Sequence, residues 1–233
     1  MPTQILGKIG PGVQPAGTPQ KLYGEGAFNG IVAGQSSAVG ALFGGLWWHT
    51  MRRNGIVLGR LLRQYGAAPA FHALVDPTIP IIPVVLTFDD YVSATIALGA
   101  CEVAVGFHEH VVANNASTLV GIGFRAGVDH VWHTFVNDCP SGVAPVTVRR
   151  NTAIAGKLSS ESHRLSIVFD GRTKTIKWLI DGVQVDIWVP PTPLDQMSPQ
   201  PGPKLMYSVV VPLNGDVVLR VHAGGLPQLR IHW

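Results

Sequence analysis

From His163 to Trp188 the chain reads HRLSIVFDGRTKTIKWLIDGVQVDIW, three short runs in which apolar and polar positions alternate. Leu165, Ile167 and Phe169 alternate with Arg164 and Ser166, and Ile176, Trp178 and Ile180 with Lys177 and Leu179. Val183, Val185 and Ile187 then alternate with Gln184, Asp186 and Trp188. A period of two is that of a strand with one buried face. The pattern therefore predicts three strands, with Trp178 in the core and Trp188, on the face of Gln184 and Asp186, exposed. Asp181-Gly182 is a two-residue connection that tolerates positive φ at both positions and so matches strand twist, a hairpin signal. Asp170-Gly171-Arg172-Thr173 makes a longer turn whose register the sequence leaves open.

Further strands are expected at Pro83–Phe88, Val92–Ala97, Glu102–Val112, Leu119–Arg125, Val131–Asn137, Val146–Arg149, Tyr207–Pro212, Val217–Ala223 and Leu229–Trp233. Trp47–Arg53 and Ile56–Leu62 flank Asn54-Gly55 as a second hairpin, although the run LGRLLRQ reads equally as a short helix. Short strands at this spacing argue for a sandwich or barrel. Outside residues 57–65 no stretch has a helical period, which argues against alternating βαβ architecture.

The run His-Arg-Leu-x-Ile, a turn, then Ile-Lys-Trp-x-Ile-Asp-Gly and Val resembles the meander near the C-terminal end of concanavalin A-like, laminin-G-like jelly rolls. GIGFRAGVDHVWHTFVNDC, from Gly121 to Cys139, is similar to the strand, glycine turn and strand that precede it, including versions in bacteriophage virion proteins. The resemblance covers Glu102 to Pro190. It implies an all-β jelly-roll β-sandwich and is weak for function, because lectins, glycosidases and structural modules share that architecture.

Residues 1–34 are rich in Gly and Pro, with PGVQPAGTPQ at Pro11–Gln20 and no regular period. Such a segment cannot order itself by burying apolar surface. It is expected to form an extended arm lying on its own domain or on neighbouring subunits, with the sandwich domain spanning residues 35–233. The proline-rich stretch Pro190–Pro203 makes the same demand for a surface to pack on. A chain of 233 residues suffices for one such domain.

Charged residues make up 13% of the chain, against roughly 25% in ordinary soluble domains. That deficit fits either a surface covered by neighbours or a neutral surface rich in Gly and Ala. A net charge of +3, with Lys and Arg scattered, gives no basis for nucleic-acid binding. The apolar part of Gly30–Trp48, Ala38–Trp48, is too short for a bilayer of about 30 Å. Pro77, Pro80 and Pro83 argue against a spanning helix at Pro77–Phe88, so membrane insertion is not expected. The start of the chain shows no pattern of a secretory signal. Two cysteines, Cys101 and Cys139, make no disulfide framework, and reduced thiols are the expectation. Asn115-Ala116-Ser117 fits the glycosylation pattern, which without a signal carries little.

His108-Glu109-His110 places two imidazoles on one strand face, with His130 and His133 nearby in sequence. The glutamate expected soon after an HxH pair is missing, and polar hydrogen-bonded histidines with no metal are the stronger expectation. A glycosidase needs two carboxylates flanking one bond. The jelly-roll glucanase pattern Glu-x-Asp-x-x-Glu does not occur, the glutamates Glu25, Glu102, Glu109 and Glu161 are isolated, and Asp89-Asp90 point to opposite strand faces. There is no Gly-x-Ser-x-Gly elbow, and GIGFRAG lacks dinucleotide spacing. No catalytic residue and no cofactor is assigned. For sugar stacking the candidates are Trp132, Trp178 and Trp188, with Asp129, Asn137 and Asp138 as polar partners. Of Trp47 and Trp48, one points outward if the segment is extended.

The combined expectation is a non-enzymatic concanavalin A-like jelly roll with an N-terminal arm. Its first reading is a structural component of an assembly, a bacteriophage virion protein made in the host cytoplasm, contacting other subunits through Trp47, Trp48, Trp132 or Trp188. The alternative is a soluble glycan-binding module, and a divergent carbohydrate-active enzyme comes third.

Overall fold

The computed structural model describes residues 3–8, 36–42, 46–53, 57–64, 71–98, 102–108, 121–138, 147–194, 204–211, 215–222 and 228–232, with side chains described for 73–96, 102–106, 121–138 and 147–194. The described strands are β1 (Thr3–Lys8), β2 (Ser36–Leu42), β3 (Leu46–Arg53), β4 (Val57–Gln64), β5 (Val85–Leu98), β6 (Glu102–His108), β7 (Gly121–Ala126) and β8 (Val131–Asp138). They continue with β9 (Thr147–Leu158), β10 (His163–Asp170), β11 (Thr175–Ile180), β12 (Val183–Trp188), β13 (Lys204–Val211), β14 (Gly215–His222) and β15 (Gln228–His232). The five-residue helix α1 (Phe71–Val75), which no sequence period announced, precedes β5. No helix among the described residues is long and apolar enough to cross a membrane.

Two antiparallel sheets form a β-sandwich. One runs β12-β11-β10-β5-β14-β3-β2, with β15 also on β5 and β1 on β15; the other runs β4-β13-β6-β7-β8-β9. β5 is one long strand where the sequence suggested two. One of its edges pairs with β10, while the other pairs with β15 at Val85–Asp89 and with β14 from Tyr91 onward. Asp90, fully buried, sits where the partner changes.

The core lies between the sheets. Leu86, Phe88, Val92 and Ala94 of β5, Leu165, Ile167 and Phe169 of β10, and Ile176, Trp178 and Ile180 of β11 meet Val103 and Val105 of β6, Ile122 and Phe124 of β7, and Trp132 and Val136 of β8. At roughly 1.5–3 kcal/mol for each large apolar side chain taken from water, this layer is the main favourable term in folding. Gly106 and Gly123 face each other across β6 and β7. A Cβ on Gly106 would lie 2.2 Å from the Ile122 carbonyl oxygen, and one on Gly123 2.1 Å from that of Val105, so the strands approach more closely than any side chain allows.

The β11–β12 hairpin turns on Asp181 at φ 54° and Gly182 at φ 81°, as the Asp-Gly signal predicts. The predicted faces of β10 and β11 are those observed. The face of β12 is not. A register shift opposite Trp178/Leu179 adds one residue, so that Asp186 lies opposite Trp178 and Trp188 opposite Ile176. Beyond the shift Trp188 is packed on the core and Ile187 is exposed, whereas Val185 keeps its expected place against the core; Val183, before the shift, is exposed. A bulge of this kind shifts every side chain beyond it to the other face.

The expected Asn54-Gly55 hairpin is corrected as well. β3 pairs with β2 and β14 in one sheet and β4 with β13 in the other, so the connection crosses between sheets, and LGRLLRQ is strand. Of the expected arm, β1 pairs with β15 of the same chain, Thr3 opposite His232. Residues 9–35, and with them the boundary at 34, lie outside the described residues. So do Cys101, Cys139, His110 and Asn115.

Candidate functional site

On the outward face of the six-stranded sheet, the β7–β8 turn and the start of β6 enclose an open cleft of about 340 Å³. Strand alternation builds it. With Phe124 and Ala126 of β7 and Trp132 of β8 turned to the core, Arg125 and its cross-strand partner His133 are turned outward. Glu102 begins β6 one position before Val103, which faces Ala126. Gly127, Val128 and Asp129 complete the rim, closed by a turn in which the His130 amide donates to the Gly127 carbonyl at 3.0 Å. His130 adopts φ 58° there and is exposed.

The polar groups of the cleft hold one another. Arg125 Nη1 donates to Glu102 Oε1 at 3.4 Å, and its Nε donates to Asn151 Oδ1 at 3.1 Å. His133 Nε2 is bonded to Asp129 Oδ2. Partial burial raises the Asp129 carboxyl, and the hydrogen bond and charge of His133, with nearby backbone amides, outweigh it and bring the group below the usual carboxylate range. An ionised carboxylate only accepts, so the proton of that bond belongs to His133 Nε2. Glu102 goes the other way, because burial raises its carboxyl more than the charge and hydrogen bond of Arg125 lower it. Asp129 side chain is 46% exposed and Glu102 33%, so both remain open to a ligand. Val128, 62% exposed, adds an apolar surface at the rim.

No protein-family model and no curated protein matches the chain. Solved structures do match, at the level of fold. The GH16 protein of the Bacteroides ovatus mixed linkage glucan PUL, in complex with a G4G4G3G product, aligns with TM-score 0.52 and 12% identity over 88% of this chain and 97% of that one. The carbohydrate recognition domain of Emp47p aligns with TM-score 0.44 and 7% identity over 88% and 91%. A sialidase aligns with TM-score 0.39 and 9% identity over 83% of this chain, which spans only 16% of that protein's length. The two sheets are a jelly-roll sandwich of the concanavalin A-like type.

Of the residues singled out in the sequence, the cleft contains Asp129 and His133. Trp132 is fully buried and set edge-on against Phe124, with ring centroids 6.5 Å apart, so it offers no face to a sugar or a subunit. Trp188 is packed against the core. Asn137 and Asp138 are buried, and Asp138 accepts from Arg149 Nη1 at 2.9 Å. The backbones of Trp47, Trp48 and His108 lie in β3 and β6; their side chains are outside the described ones. Among the described residues no three His, Cys, Asp or Glu converge as a metal-holding group.

Glu102 and Arg125 were missed as site residues. Reading β6, β7 and β8 together gives the signal that finds them: once Gly127–His130 is taken as the turn, Arg125 falls opposite His133 on the polar face.

Proposed function

We propose that this chain is a glycan-binding module whose outward cleft, lined by Glu102, Arg125, Asp129 and His133, takes the ligand. The observation that carries the reading is an open concave site in which carboxylate oxygens are fixed in place by Arg125, itself held by Asn151, and by His133, beside the apolar Ala126 and Val128. Sugars are recognised by such sites, hydroxyls meeting fixed acceptors and C–H faces meeting apolar surface. The sandwich shared with the Bacteroides ovatus protein, solved with its glucan product, makes oligosaccharides the first ligands to test. The module acts by binding, without catalysis. The glucanase pattern Glu-x-Asp-x-x-Glu is absent from the sequence, and Asp89 is bonded to Ser166 and Arg164 away from the cleft.

The test is a glycan array of the full chain, followed by titration calorimetry with the best binder. Asp129→Ala is expected to weaken binding by about tenfold or more, the effect of losing one charged hydrogen-bonding group. Binding unchanged in Asp129→Ala and Arg125→Ala alike moves the ligand elsewhere and ends this reading.

A second reading, a subunit of a bacteriophage virion, is favoured by the 13% charged content and the Gly- and Pro-rich N-terminal segment. The described part of that segment, β1, pairs with β15 of its own chain. A defined oligomer of the full chain in light scattering supports the assembly reading, and a monomer removes its main prop.

A further inference from the structure

Resting on the glycan-binding reading, we infer that the cleft selects neutral oligosaccharides and rejects acidic ones, because it offers two carboxyl groups to a ligand while its one guanidinium is anchored to protein acceptors through both Nε and Nη1. Recognition of a uronate, sialate or sulfate needs a cation with donors to spare, typically an arginine meeting the anion with two parallel N–H groups. Arg125 is the guanidinium of the cleft lining; its Nε donates to Asn151 Oδ1 and its Nη1 to Glu102 Oε1, so that each pair of adjacent nitrogens that could grip an anion includes one already bonded to protein, and among the described residues Nη2 alone has both N–H groups left.

The remaining lining groups face an anion unfavourably. Asp129 and Glu102 both carry carboxyl groups, and the His133 ring donates its Nε2–H to Asp129 rather than into the cleft. The lining thus sets two carboxyl groups beside a single guanidinium, with the imidazole turned to one of them. A like charge brought into such a site is disfavoured, more strongly where water is excluded than where the site is open. A neutral sugar meets the opposite situation. Each carboxylate has about four lone-pair sites, of which Arg125 and His133 use only some, and hydroxyl donors can take the rest. On β9 of this sheet the cations are engaged elsewhere: Arg150 with Asp186, Arg149 with Asp138, and Lys157 with Asp181.

The test uses the full chain and matched pairs of β-linked gluco-oligosaccharides and the same oligosaccharides oxidised at C6 to uronates, compared by titration calorimetry at pH 7. The neutral member is expected to bind about tenfold more tightly than its uronate partner, and the near-isosteric Glu102→Gln/Asp129→Asn double variant is expected to shrink that ratio toward one. Uronate binding equal to or tighter than neutral binding, lost in Arg125→Ala, overturns this inference and leaves glycan binding at the cleft standing. A neutral preference that persists undiminished in the double variant also overturns it. Failure of every member of both series, and of a broader array, removes the glycan-binding reading itself and the inference with it.

Discussion

Trp178 of β11 donates its indole N–H across the core to the carbonyl oxygen of Gly123 on β7, at 3.0 Å. The bond joins the two sheets at the place where Gly123 and Gly106 let β6 and β7 close together. Putting a methyl group on Gly123 drives it onto the Val105 carbonyl, and no flexible side chain stands there to move. Gly123→Ala is expected to destabilise by about 3 kcal/mol or more, the upper end of ordinary overpacking costs. Urea denaturation measures it. A variant within 1 kcal/mol of the parent, by the same estimate, would show that the strands separate freely and that the glycine pair is not needed.

Trp132 supplies the internal control for that hydrogen bond. It is as deeply buried as Trp178, yet its indole nitrogen has no hydrogen-bond partner among the described residues. Replacing either tryptophan with phenylalanine removes the same ring atoms, so the loss of packing cancels to first order. Trp178→Phe also removes a satisfied donor, whereas Trp132→Phe removes a donor that costs free energy by being buried alone. Trp178→Phe should be the more destabilising by about 1–3 kcal/mol. Equal losses would mean that the Trp178 bond contributes nothing beyond packing.

The contrast between these two residues shows what was legible in the sequence. Ile176 and Ile180 at period two around Trp178 announced its burial. Trp132 carried the same signal through Phe124, Val136 and Ala126, but its neighbours Asp129, Asn137 and Asp138 suggested a polar site, and only the paired register of β7 and β8 separates the core side from the cleft side. The sheets themselves were legible as alternation and turn chemistry. Partner choice was not: Asn54-Gly55 announces a tight turn, and whether the chain then returns alongside itself or crosses to the other sheet depends on which strand is free to receive it. The β12 bulge was hidden for a similar reason. Strict alternation puts Ile187 inside; the shifted register instead turns Asp186 toward Arg150 and Thr134 across the sandwich and packs Trp188 on the core.

The ion pair of Asp186 with Arg150 ties two strands that end their respective sheets, β12 and β9. Arg150 Nε donates to Asp186 Oδ2 at 2.7 Å, a second guanidinium nitrogen reaches Oδ1, and the Thr134 hydroxyl also donates to Oδ2. Burial raises the Asp186 carboxyl, and the bonds and charge of Arg150 with the Thr134 bond outweigh it, so the folded group lies below its ordinary range. A depressed carboxylate contributes stability above its unfolded value, and that contribution is lost as pH falls through the folded one. Arg150→Met leaves a carboxylate that is 7% exposed without its cation. The expected cost at pH 7 is about 3 kcal/mol, shrinking in acid, where the carboxylate is protonated in both proteins. Arg150→Met/Asp186→Leu should recover much of it. A double variant as unstable as the single one would assign the loss to packing instead of to the stranded charge.

Glu102 gives the opposite pH dependence. Its carboxyl is raised mainly by burial, against the lowering effect of Arg125. A folded value above the unfolded one means that the folded state holds the proton to higher pH. Ionisation therefore costs stability, and this cost sets in as pH rises from the unfolded value through the folded one and disappears below both. Glu102→Gln keeps the shape and removes the charge. Subtracting its unfolding free energy from that of the parent at each pH cancels the other carboxylates, and the difference should move against the parent as pH rises through the acid range and then stay flat. The same titration should appear in the cleft: a uronate oligosaccharide excluded at neutral pH gains affinity as Glu102 takes up its proton, before Asp129, held lower by His133, takes up its own. A stability difference that runs the other way would mean that Arg125 stabilises the carboxylate more than burial opposes it, and Glu102 would then be a firmly ionised partner of Arg125 at every pH where the protein folds.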